Sequence, residues 1–101
     1  MIDIKIKKLI DYYLTSRNVY GAEDALEKMV DLTTKENYFL IIDYIEKKEV
    51  KKHELDLSMY IVEIACKDYT KLTPIINNKL KEYSDKDAIE DLENALIKIN
   101  S

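Results

Sequence analysis

Residues 53–69, HELDLSMYIVEIACKDY, constrain the fold most, because a helix over this stretch has apolar side chains on two opposite sides. One side carries Leu55, Met59, Val62 and Cys66, and the other carries Leu57, Tyr60 and Ile64. Only a narrow strip with Asp56, Glu63 and Lys67 is left for water. A helix of this kind needs neighbours on both sides, so the segment is expected to lie in the middle of a stack of helices.

The rest of the chain also favours an all-α fold. One Gly and one Pro in 101 residues are too few turn residues for a β-sandwich or barrel. The spacing of apolar residues predicts about six helices. The first two helices are predicted at residues 2–15 and 21–32, and the third is predicted to begin after Thr33 and to end within the charged run 46–52. The fourth and fifth are predicted at residues 53–69 and 74–83, and the sixth from Ser84 or Asp85 to Ile99.

Several helix starts carry a local signal. Thr33-Thr34-Lys35-Glu36 matches the capping box, in which the Thr33 hydroxyl and the Glu36 carboxylate exchange hydrogen bonds with the backbone. Thr73-Pro74 predicts that the fifth helix begins at Pro74. Proline has no backbone N–H group, and at the first helical position that group would have no hydrogen-bond partner within the helix, so nothing is lost there. Side-chain caps are also expected from Asn18 and from Ser84 or Asp85.

Two segments near the C-terminus resemble a HEAT-type helical repeat. They are LTPIINNKL at 72–80 and DKDAIEDLENALIKI at 85–99; residues 39–65 match more loosely, and residues 1–34 match only in helix pattern. The resemblance implies three antiparallel hairpins, at about 1–34, 35–68 and 69–101. In a single domain they would stack as a short right-handed HEAT-like solenoid, with an irregular helical bundle as the rival arrangement.

Charge is divided unevenly between the first and second helices of these hairpins. The first helices hold twelve basic and seven acidic residues, whereas the second helices hold four basic and thirteen acidic residues. Because second helices line the concave side of HEAT-like stacks, the resemblance implies an acidic groove. Its expected partner-binding residues are Tyr20, Glu23, Asp24, Glu27, Asp31, Asp56, Glu63, Glu90 and Asp91, with the densest group on the second helix. A solvated helix face is the alternative interpretation.

Other functional classes find little support. Cys66 is interpreted as a core residue and His53 as the start of a helix, so neither a metal site, a cofactor nor catalysis is expected. Lys47, Lys48, Lys51 and Lys52 form a basic corner, but a net charge of −4 and a single Arg argue against nucleic-acid binding. The first ten residues contain no continuous apolar run, so a soluble cytoplasmic protein without membrane association is predicted.

These observations favour a protein-interaction module that presents an acidic, tyrosine-bearing surface to a basic protein. Tyr12, Tyr20, Tyr38 and Tyr44 are expected to be partly exposed on such a surface. A small acidic helical protein of this kind resembles bacterial immunity or antidote proteins, which implies a basic toxin domain as the partner. The alternative is a structural or assembly adaptor that forms a homodimer or a larger complex.

Overall fold

The computed structural model describes residues 2–48, 53–65 and 72–100. It is all-α: the described residues contain six helices and no strand. The helices are α1 (Ile4–Thr15), α2 (Val19–Asp31), α3 (Tyr38–Glu46), α4 (Glu54–Ile64), α5 (Leu72–Glu82) and α6 (Lys86–Asn100). The predicted fold class is therefore confirmed.

The chain divides into two compact units, Met1–Glu49 with α1 to α3 and Val50–Ser101 with α4 to α6. The boundary falls within the segment 35–68 that the sequence grouped as one hairpin, so α3 and α4 belong to different units. In the first unit α1 packs against α2. In the second, α6 packs mainly against α4 and also against α5. The stacking of hairpins into a HEAT-like solenoid stays a prediction.

The predicted cap of α2 is confirmed, whereas that of α3 is wrong. The Asn18 side chain accepts hydrogen bonds from the backbone N–H groups of Tyr20 and Gly21. Before α3, the Thr33 hydroxyl instead donates back to the carbonyl of Met29 in the preceding helix. The reciprocal bonds form one residue later: the Thr34 hydroxyl accepts from the backbone of Asn37, and the Asn37 side chain accepts from the backbone of Thr34.

The predicted start of α5 is also wrong. This helix already includes Leu72, which lies before the Thr73-Pro74 pair. Thr73 therefore lies inside the helix and is not its cap. At the next helix, the sequence left Ser84 and Asp85 as alternatives; the Asp85 carboxylate accepts from the backbone N–H groups of Asp87 and Ala88 and is the side-chain cap.

Helix α4 has one wide buried face, which corrects the prediction of two opposite apolar sides. Leu57, Tyr60 and Ile64 are fully buried, as predicted, but Ile61 and Ser58 between them are fully buried too. Leu55, Met59 and Val62, the predicted second side, are only half-buried. The predicted continuation to Tyr69, with Cys66 and Lys67, lies outside the described residues.

Candidate interaction face

Helix α2 separates a buried apolar face from an exposed acidic one. Ala25, Leu26 and Met29 are buried, which turns the opposite side of the helix to solvent. That side carries the residues predicted from the sequence, and all five are exposed: Tyr20, Glu23, Asp24, Glu27 and Asp31. We call these five residues the acidic face of α2.

The acidic face is only partly neutralised within the chain. Asp24 pairs with Lys28 one turn later, at 3.1 Å between carboxylate oxygen and ammonium nitrogen, and both side chains are well exposed. Glu23, Glu27 and Asp31 form no ion pair with any residue that the structure describes. Because Glu23–Glu27 and Glu27–Asp31 are like charges one helical turn apart, they repel each other and would be stabilised by a cationic partner.

Exposed apolar and aromatic side chains adjoin this face. Tyr20 is 81% exposed, and Val19 beside it is also exposed. Tyr12 from α1 reaches across to α2, where its hydroxyl lies against the backbone of Gly21 in the space that a Cβ would occupy. Exposed tyrosines among carboxylates offer both apolar contact and hydrogen bonding to a partner.

The remaining predicted partner-binding residues, Asp56, Glu63, Glu90 and Asp91, lie in the second unit. The Asp56 carboxylate is 3.0 Å from the Nδ1 atom of His53. Asp91 accepts a hydrogen bond of 3.3 Å from the buried Ser58 hydroxyl. Glu63 and Glu90 are exposed. The part of the predicted surface that the structure brings together on one helix is therefore the acidic face of α2.

The expected partial exposure of the tyrosines is correct for three of the four. Tyr12 and Tyr20 are exposed, and Tyr44 is half-buried. Tyr38 is buried at 5% exposure, because it lies on the apolar face of α3, so the expectation is wrong there. Burial raises the pKa of the Tyr38 hydroxyl.

A polar cluster that the sequence analysis missed joins α1 to α3. The Tyr44 hydroxyl donates to the Asp11 carboxylate at 3.0 Å, and the Lys48 ammonium lies 3.5 Å from the same carboxylate. Lys48 also lies over the Tyr44 ring, with Lys7 nearby. The contact with Tyr44, followed by the charge of Asp11, raises the pKa of Lys48.

This cluster includes Lys48, one of the four lysines of the predicted basic corner. Lys48 is engaged by Asp11, and Lys47 pairs with Asp43 at 3.0 Å. Lys51 and Lys52 lie outside the described residues. The two described lysines of the corner are thus already matched by carboxylates, which weakens the case for phosphate binding there.

A second missed cluster is buried at the start of α6. Glu54, only 5% exposed, accepts hydrogen bonds of 2.9 Å from the backbone N–H groups of both Ser84 and Asp85. Tyr83 and Lys79 are buried in the same unit. Burial lowers the pKa of Lys79, and the charge of Glu82 opposes this shift. Glu54 stabilises the start of α6 because its carboxylate accepts hydrogen bonds from these two backbone N–H groups, which lie at the positive end of the helix dipole.

Sequence spacing contained a signal for Glu54. It precedes Leu57, Ser58 and Ile61 by three, four and seven residues, so it belongs to the buried face of α4. The charge count had placed it among the thirteen acids of the second helices, without reference to its burial.

Replacing Tyr83 with phenylalanine is expected to leave stability at neutral pH unchanged or to raise it by up to about 1 kcal/mol. The Tyr83 hydroxyl is buried and has no hydrogen-bond partner among the residues that the structure describes. Burial, then the charges of Glu54 and Glu82, raise its pKa above the ordinary 10.0. The folded state thus keeps a proton that the unfolded state loses above that pH, so stability falls as pH rises from there. Urea titrations in alkaline buffers should show a smaller loss for the phenylalanine variant. An equal loss in both proteins would contradict the assignment.

The described residues hold no group of three or more His, Cys, Asp or Glu side chains that could bind a metal ion. Within that same part of the chain, no helix has the length and apolarity needed to cross a membrane. Comparisons with protein-family models, with curated proteins and with solved structures return no match. The proposed function therefore rests on the chemistry of the exposed surfaces.

Proposed function

We propose that this protein is an interaction module that binds a basic protein through the acidic face of α2. The observation that carries the proposal is that Glu23, Glu27 and Asp31 are exposed and unpaired within the described residues, next to a tyrosine that is 81% exposed. A surface of carboxylates around an aromatic side chain complements lysine and arginine side chains, since Tyr20 would supply contact area and the acids would supply charge.

The finer proposal is an immunity or antidote role, in which the partner is a basic toxin domain. Its mechanism would be occlusion: the carboxylates would pair with lysines and arginines at the surface that the toxin uses for its own substrate. Opposite charges steer the two proteins together, so association would be fast and would slow as salt is added.

The double substitution Glu27→Lys and Asp31→Lys is expected to weaken binding of the partner by at least about tenfold, because rows of like charge repel across an interface. The partner is first captured from the native host on the wild-type protein and identified. Its affinity for purified variants is then measured by calorimetry at low and high salt.

The matched control is Glu36→Lys with Glu93→Lys, which changes the net charge equally at exposed acids outside the acidic face. Its affinity should stay near that of the wild type. If both double variants lose affinity alike, only net charge matters. If neither does, the partner does not bind α2.

A further inference from the structure

We draw no further inference here: the strongest candidate, the surface patch of exposed apolar and aromatic side chains on α1 and α2 that includes Ile4, Tyr12 and Tyr20, carries none, because nothing in the structure shows what covers it.

Discussion

Replacing Glu54 with alanine is expected to lower the free energy of unfolding by about 3 kcal/mol, because hydrogen bonds to a charged group contribute more than neutral ones. One oxygen of this carboxylate accepts from the backbone of both Ser84 and Asp85. The substitution would leave these two donors without their carboxylate and would open a gap beside α6. Urea unfolding followed by circular dichroism measures the loss.

Two further variants separate charge from shape. Glu54→Gln keeps an acceptor oxygen and the size of the side chain, so it should lose about half as much stability, mostly from the missing charge. Glu82→Ala removes an exposed carboxylate from α5 and should change stability by less than about 0.5 kcal/mol. If Glu54→Ala costs no more than Glu82→Ala, the buried carboxylate does not support α6.

The fold class could be predicted because helical periodicity is strong throughout this chain. Apolar spacing identified all six helices that the structure describes, and the capping preference of Asn18 and Asp85 identified two starts. The error at Thr33 has a physical cause. A threonine hydroxyl can bond a carbonyl of the preceding turn as readily as it caps the next helix, and sequence does not distinguish the two.

The candidate site could be predicted where it depends on one helix only. The exposure of all five residues of the acidic face follows from the position of Ala25, Leu26 and Met29 opposite them. Contacts between distant segments could not be predicted. Asp11 meets Tyr44 and Ser58 meets Asp91, each 33 residues apart, so acids counted as free surface charge have partners that only folding reveals.

Replacing Leu92 with alanine is expected to lower the free energy of unfolding by about 3 to 4 kcal/mol, since the change removes buried methyl groups and leaves a cavity. Leu92 is fully buried on α6, the helix that packs against both α4 and α5. A gap at this position leaves a cavity on the buried face of α6. The urea midpoint should fall while its slope stays constant.

The matched control lies on the same helix. Ile97 is 66% exposed, so Ile97→Ala removes a side chain of similar size that contributes little burial, and alanine is the better helix former. Its stability should stay within about 0.5 kcal/mol of the wild type. If the two variants lost equal stability, the burial of Leu92 would not be what holds α6 in place, since alanine favours the helix at both positions. A loss confined to Leu92→Ala would instead show that burial against α4 and α5 holds the helix in place, because both variants change helix propensity in the same direction.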